Sequence, residues 1–255
     1  MHGRVLIIAG SDSGGGAGIQ GDIKTVSALG GYAMTAITAI TAQNTLGVFG
    51  IHAVPEAFIA QQITLCVDDI GVDALKTGML HSAAVIEAVV QSIPRGVPLV
   101  VDTVMVAKGG SPLLEVEALM ALKTKLIPLA TIITPNLPEA ELLLGRKIPE
   151  DGMVEAAQAL LALGAQAVLL KGGHGTDLTL TDVLVARGAA PLIFTAARVD
   201  TRHTHGTGCA FASAIAHGLA RGLAIGESVS LAHAYVQAAI GRAPGFGAGH
   251  GPLGH

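Results

Sequence analysis

The strongest constraint on the fold is an alternation of short apolar runs with amphipathic stretches along the whole chain. Arg4-Val5-Leu6-Ile7-Ile8-Ala9 is short, continuous and rich in branched residues, which predicts a strand buried on both faces. A helix is predicted over 17–29, a strand over 32–43, and a further short strand or edge hairpin over 48–54. Helix signals run from Pro55, a favourable first-turn residue, through Ile63. Strands over 73–77, 98–101, 131–134 and 167–170 then alternate with helices over 83–93, 113–126, 138–144 and 153–163, the last closed by Gly164. The segments 181–187 and 191–199 read as a hairpin around Gly188-Ala189-Ala190. Helices are predicted after Gly208 and over 227–240. Such alternation specifies a doubly wound, mostly parallel α/β sheet. No linker, repeat or low-complexity block interrupts it, so residues 1–255 are read as one domain.

Composition narrows the function. The chain is 51% hydrophobic and 13% charged, which suits a large buried core. A net charge of −4 argues against a nucleic-acid partner. Lys and Arg are scattered, and no uncharged apolar stretch approaches a bilayer span, so no membrane partner is expected. Cys66 and Cys209 make no disulfide framework, and the run Val5 to Ala9 is too short for a signal sequence. A cytoplasmic protein is the expectation.

In doubly wound sheets ligands bind beyond the carboxyl ends of the strands, and the informative residues fall there. The stretch His203-Thr204-His205-Gly206-Thr207-Gly208-Cys209-Ala210 places two glycines before a helix. Its first amides sit at the positive end of the helix dipole, which makes an anion site. Cys209 falls at the helix mouth, where a thiolate is expected. Gly14-Gly15-Gly16-Ala17-Gly18 misses the spacing of a dinucleotide fingerprint, no Walker-type loop exists, and a plain glycine turn fits it equally well. Asp22, on the next helix, would face solvent on most folds. Gln43 ends a strand with a donor and an acceptor side by side, matching an aminopyrimidine edge or serving as an ordinary loop amide. Asn136 and Glu139 share one face at a helix start; Glu139 is either a capping partner or, beside phosphates, a Mg²⁺ ligand with Asp102 as a second. Lys171, at a strand end, reaches phosphate or is a surface lysine. The ten histidines offer no zinc pattern.

Taken together, these blocks resemble the hydroxymethylpyrimidine/phosphomethylpyrimidine kinases of thiamin biosynthesis, within the ribokinase-like superfamily. The matching text includes Ile8-Ala9-Gly10-Ser11-Asp12, Gly15 to Gln20, Asp22 to Thr25, Thr41 to Thr45 and Lys76-Thr77-Gly78-Met79. It continues through Asp102 to Lys108, Thr134 to Glu141, Lys171 to His174, Thr204 to Cys209 and Gly249-His250-Gly251-Pro252-Leu253. Thr103 and Gly109 depart from the residues common in the family. The resemblance implies a ribokinase-like fold with helices on both faces of the sheet, ATP and Mg²⁺ as cofactors, and a homodimer. It implies that Asp22, Gln43 and Met79 contact the pyrimidine, with Gly10 and Val104 lining its slot. Asn136, Glu139 and Lys171 would serve ATP phosphates and magnesium, while Gly206, Thr207, Gly208 and Cys209 would form the anion hole, Cys209 acting as base. The implied reactions phosphorylate 4-amino-5-hydroxymethyl-2-methylpyrimidine to its monophosphate and then to its diphosphate. A pyridoxal kinase, or a dual-specificity enzyme of the same fold, is the rival reading.

Overall fold

The structure, a computed structural model, describes residues 3–105, 113–173 and 179–255. Among these, nine strands form one mixed sheet in the order β3-β2-β1-β4-β5-β6-β7-β8-β9. β1 (Arg4–Asp12), β2 (Tyr32–Asn44), β4 (Ala74–Thr77), β5 (Leu99–Val101), β6 (Ile132–Ile133) and β7 (Ala167–Lys171) run parallel. β3 (Gly47–Ala53) folds back on β2 as an antiparallel edge, and β8 (Thr179–Ala186) with β9 (Leu192–Ala197) forms the expected hairpin on the other side. The sheet is therefore largely rather than wholly parallel. The reason lies in the connections: the short turns before β3 and β9 allow only antiparallel return, whereas parallel pairs need helical crossovers.

β1 shows why its apolar run is continuous. Leu6 and Ile8 enter one core, while Val5, Ile7 and Ala9 enter the other. The first core is covered by α2 (Glu56–Leu65), α3 (Ala83–Ser92), α4 (Val116–Ala121), α5 (Leu137–Leu144) and α6 (Met153–Leu161). The second is covered by α1 (Gly18–Ala28), α7 (Thr207–Ala220) and α8 (Ile225–Gly241). Helices on both faces are thus observed. The helix expected over 113–126 is shorter: α4 gives way to a π-helical turn at Leu122–Leu126 and a 3-10 turn at Ile127–Leu129. The widened turn buries Leu122, Leu126 and Ile127 together before Pro128, which has no amide to continue a ladder. No described helix is long and apolar enough to cross a membrane.

Two departures at the carboxyl rim matter for the site. β1 extends three residues past its predicted end, with a register shift between Ala9 and Ser11 that leaves Gly10 at a bulge. β2 carries a second shift between Ala42 and Gln43. Bulges bend a strand and re-aim side chains, and they recur beside active sites. The expected loops Asp102 to Gly110 and Lys171 to His174 are described only as far as Met105 and Gly173; Val106 to Lys108, Gly109 and His174 lie outside the described residues.

α7 is buried on all sides from Ala210 to Leu219, including His217 near its end. A Cβ on Gly31 would lie 2.6 Å from His217 Nδ1, so the imidazole fills the space that glycine leaves. Burial lowers the His217 pKa below its ordinary 6.5, with Arg221 adding to the effect. Below pH 6.5 the unfolded chain takes up a proton that the folded one resists, so stability present above that pH is lost as it falls. Urea midpoints are expected to drop between pH 7.5 and 5.5, and a His217→Leu variant to drop less. Parallel pH curves for the two proteins would refute this assignment.

Candidate active site

The glycine turn after β1 is built around a carboxylate. Asp12, nearly fully buried, accepts hydrogen bonds from the amides of Gly14 at 2.8 Å, Gly16 at 3.1 Å and Ala17 at 2.8 Å. His205 Nε2 stands 2.9 Å from the same side chain. Burial alone would raise the Asp12 pKa, but the bonds from His205 and the amides outweigh it and hold the carboxyl below its usual range. These amides are taken by the protein's own anion, so this turn is no phosphate cradle.

The anion site lies instead at the start of α7. Gly206 caps the helix at φ +83°, and a Cβ there would collide with the Gly16 carbonyl, so two glycine loops touch backbone to backbone. Thr207 Oγ1 donates back to Thr204 O at 2.7 Å. From the end of β7, Lys171 Nζ reaches to 3.5 Å from where a Gly208 Cβ would stand, and to 3.7 Å from Asp102 Oδ1. The Lys171 ammonium thus stands beside the first turn of the helix. Anion-attracting amides and a cation converge on one spot.

Beneath it sits a buried ionic cluster. Asp22, expected at the surface, is fully buried: Oδ2 accepts from Lys76 Nζ at 2.8 Å and Oδ1 from Ser213 Oγ at 2.7 Å. Its carboxylate is committed inside the protein, which places it under the site rather than in an open pocket. Lys76 was not assigned a role by sequence, although one signal was there: a charged residue in the fully buried strand Ala74-Leu75-Lys76-Thr77. Burial would lower the Lys76 pKa, but Asp22, the Cys209 sulfur and Asp102 Oδ2, 4.0 Å away, keep it raised. Cys209 corrects the expectation of a thiolate. Burial, with Asp22 and Asp102 adding to it, pushes the thiol up to about 12 against the pull of Lys76 and the Gly18 amide. The dipole at the helix mouth does not overcome desolvation, and the resting group is a thiol.

Asn136 and Glu139 form a complete capping box on α5: Glu139 N donates to Asn136 Oδ1 at 2.9 Å, and Asn136 N to Glu139 Oε2 at 3.0 Å. Thr103 Oγ1 also donates to Oε2 at 3.0 Å. Burial pushes the Glu139 carboxyl up to about 7, with Lys171 opposing and Asp102 adding to the shift. Thr134 Oγ1 lies 3.4 Å from Asp102 Oδ1, but Oδ2 is buried without a hydrogen-bond partner among the described residues. No group of three His, Cys, Asp or Glu side chains among those residues forms a metal cage. Two mutually repelling carboxyls, one with an orphaned oxygen, do fit Mg²⁺, which keeps several waters and takes its other ligands from phosphate.

Beside this polar floor is an apolar slot. Met79 and Val104 pack with Ala39, Val48 and Leu113 in a cluster separate from both main cores. A Cβ on Gly10 would lie 3.0 Å from Met79 Sδ, so the bulge glycine makes room for the Met79 side chain that lines the slot. Gln43 stands at the rim, the two ends of its carboxamide 3.2 Å from Thr41 Oγ1 and 3.3 Å from His205 Nε2. His205, which sequence reading left without a role, thus touches both Asp12 and Gln43. The fold brings Gly10, Gln43, Met79 and Val104 together on one side, and Asn136, Glu139, Asp102, Lys171 and Gly206 to Cys209 on the other.

The comparisons agree over the full chain. The family model for phosphomethylpyrimidine kinase matches residues 12–254. A hydroxymethylpyrimidine/phosphomethylpyrimidine kinase of Bacillus subtilis is 47% identical over 99% of this chain and 94% of its own. The thiamine biosynthesis bifunctional protein of Geobacter sulfurreducens is 52% identical over the whole chain, which spans about half (52%) of that longer protein. Among solved structures, an ADP complex of Bacillus subtilis pyridoxal kinase superposes with a TM-score of 0.90 at 38% identity, covering 100% of this chain and 98% of that one. A phosphomethylpyrimidine kinase from Clostridium difficile gives 0.80 at 43% identity, covering 92% and 97%. Family model and relatives lead to one assignment: the chain belongs to the phosphomethylpyrimidine kinase family.

Proposed function

We propose that this chain transfers the γ-phosphoryl of ATP to the alcohol of 4-amino-5-hydroxymethyl-2-methylpyrimidine, and then phosphorylates the monophosphate to the diphosphate. The observation that carries this reading is the meeting of Lys171 with the open end of α7, while Gly10, Met79 and Val104 come together at the carboxyl ends of β1, β4 and β5 in the same sheet. Residues 1–255 act as one domain, since the single sheet supplies both halves of the site. Pyridoxal phosphorylation is the second reading, favoured by the close superposition on the pyridoxal kinase. A product assay with ATP and Mg²⁺ decides: mono- and then diphosphate of the pyrimidine is expected, and turnover of pyridoxal alone overturns the substrate assignment.

Phosphoryl transfer is mainly positioning and charge neutralisation. The amides of Gly206, Thr207, Gly208 and Cys209 meet the charge on the migrating group, and Lys171 adds a cation over it. Asn136 Oδ1 is used in the cap, which leaves its NH₂ for the nucleotide. Glu139 and Asp102 would hold the magnesium ion, which when bound would supply neutralisation of phosphate charge. Met79, Val104 and Gly10 hold the ring, Gln43 pairs with its amine and ring nitrogen, and the buried Asp22 steadies the floor through Lys76. Cys209 accepts the alcohol proton only in its minor thiolate form. With a pKa of about 12, that form grows about tenfold per pH unit well below it. The first phosphorylation is therefore expected to quicken between pH 7.5 and 9 and Cys209→Ala to flatten that rise. The second, whose acceptor is already anionic, needs no such base, so a flat wild-type profile for the first step would remove Cys209 from the role.

Because protons and magnesium compete for Glu139, whose carboxyl titrates at about 7, the apparent Mg²⁺ requirement should fall as pH rises from 6 to 8. Initial rates titrated with Mg²⁺ at the two pH values measure this, and Glu139→Gln should weaken binding and level the difference. Equal half-saturation at both values would exclude Glu139 as a ligand. The homodimer implied by the resemblance would use the β3 edge, where Leu46, Phe49 and Ile51 are exposed beside Ile40 and Phe58, with Phe49 72% accessible. Sedimentation should show a dimer that Phe49→Lys dissociates; an unchanged dimer would move the interface elsewhere. A reducing, cytoplasmic setting accords with two free thiols.

A further inference from the structure

We propose that His205 is a positioning residue that fixes which end of the Gln43 carboxamide faces which neighbour, and so which way round the pyrimidine lies. This rests on the reading of Gln43 as the pyrimidine's partner. The argument begins with Asp12, whose Oδ2 is 2.9 Å from His205 Nε2. A carboxylate only accepts, so Nε2 carries the proton. That one proton points to Asp12, so the end of Gln43 that lies 3.3 Å from Nε2 can share it only as a second, weaker acceptor; a carbonyl does so, whereas an NH₂ there would set donor against donor.

The other end gives the same answer independently. Thr41 has one hydroxyl proton, and Ser11 O takes it at 2.8 Å. The Gln43 atom 3.2 Å from Thr41 Oγ1 must therefore be a donor, the NH₂. The two halves of the carboxamide are isosteric, and both neighbours require Oε1 toward His205 and Nε2 toward Thr41. His205 itself is held firmly. Its amide donates to Gly251 O at 3.1 Å, it bridges to Pro252, and a Cβ on Gly16 would lie 2.6 Å from its ring. The tail motif Gly249 to Leu253 thereby braces the residue that orients Gln43.

Orientation matters because the substrate's amine and hydroxymethyl group are on adjacent ring carbons. An aminopyrimidine edge gives a hydrogen to the Gln43 carbonyl and accepts one from its NH₂. Reversing the amide turns the ring over and carries the alcohol to the opposite side, away from Lys171 and α7. An amide left free binds the ring both ways, one of them unproductive.

The test is a double-mutant cycle on the full enzyme, with ATP, Mg²⁺ and the hydroxymethylpyrimidine. His205→Ala is expected to lower kcat/KM for the pyrimidine on the order of tenfold, with KM for ATP within about twofold, and His205→Gln, which keeps an N–H donor, to recover part of the loss. Gln43→Leu alone should cost a similar factor, and adding His205→Ala to it should cost nothing more. Thr41→Val, at the opposite end of the amide, should show the same non-additivity and provides the answer if His205→Ala folds poorly. Losses that multiply in the cycle, or no loss from His205→Ala and Thr41→Val, overturn the proposal. No loss from Gln43→Leu itself would instead mean that Gln43 does not read the pyrimidine, a separate failure.

Discussion

The ion pair between Lys76 and Asp22 is the interaction on which the centre of this molecule depends. It lies wholly out of water, with Ser213 occupying the remaining Asp22 oxygen. Three elements meet there: β4 brings Lys76, α1 brings Asp22 and α7 brings Ser213. A buried pair of this kind contributes little net stability relative to apolar packing, yet removing one partner costs about 3–5 kcal/mol because the other charge is left stranded. Its value is positional. Ser213 is one turn along α7 from Cys209, so the pair sets the rotation of that helix and with it the direction in which the anion-binding amides point. Gly78 leaves the room that the ammonium occupies, since a Cβ there would lie only 3.0 Å from Lys76 Nζ.

Above this floor, the two glycine loops solve a steric problem together. The Gly16 carbonyl passes so close to Gly206 that neither loop could carry a side chain at that point. Asp12 then binds the first loop internally and reaches His205, the residue before Gly206. One carboxylate therefore links the turn after β1, the start of α7 and, through His205, the rim of the apolar slot. The two halves of the proposed site share a single hydrogen-bonded seam.

Much of this was legible in the chain because local chemistry and global fold agree. The β-branched run at 4–9 could only be a strand buried twice over, and the glycines before Phe211 could only open a helix rather than close one. The Asn136–Glu139 spacing announced its capping box. Other features were hidden for identifiable reasons. Sequence periodicity carries no information about bulges, so it makes Gly10 a loop residue and Gln43 the end of a strand, when each sits at a register shift within a strand. Asp22 was placed in solvent because a lone acid on a helix usually is; its partner Lys76 lies 54 residues away, and only the fold brings them together. The Cys209 thiolate was argued from the helix dipole alone, whereas the cost of burying a charge dominates here.

That last point changes how the site's electrostatics should be understood. Lys76 and Lys171 stand against Asp22, Asp102 and Glu139, whose carboxyl is pushed up to about 7, so a thiolate at Cys209 would add a further anion to a cluster already at least balanced in negative charge. Keeping the thiol protonated avoids that cost at rest. An incoming phosphate adds negative charge at the end of α7, where Lys171 and the amides are directed, whereas Lys76 is held below by Asp22. The two cations are thus divided by depth, with the accessible one facing the phosphate and the buried one facing the sulfur. In the proposed reaction only the minor thiolate, formed by prior loss of the thiol proton to solvent, would take up the alcohol proton, and that uptake would return the neutral thiol that the interior favours.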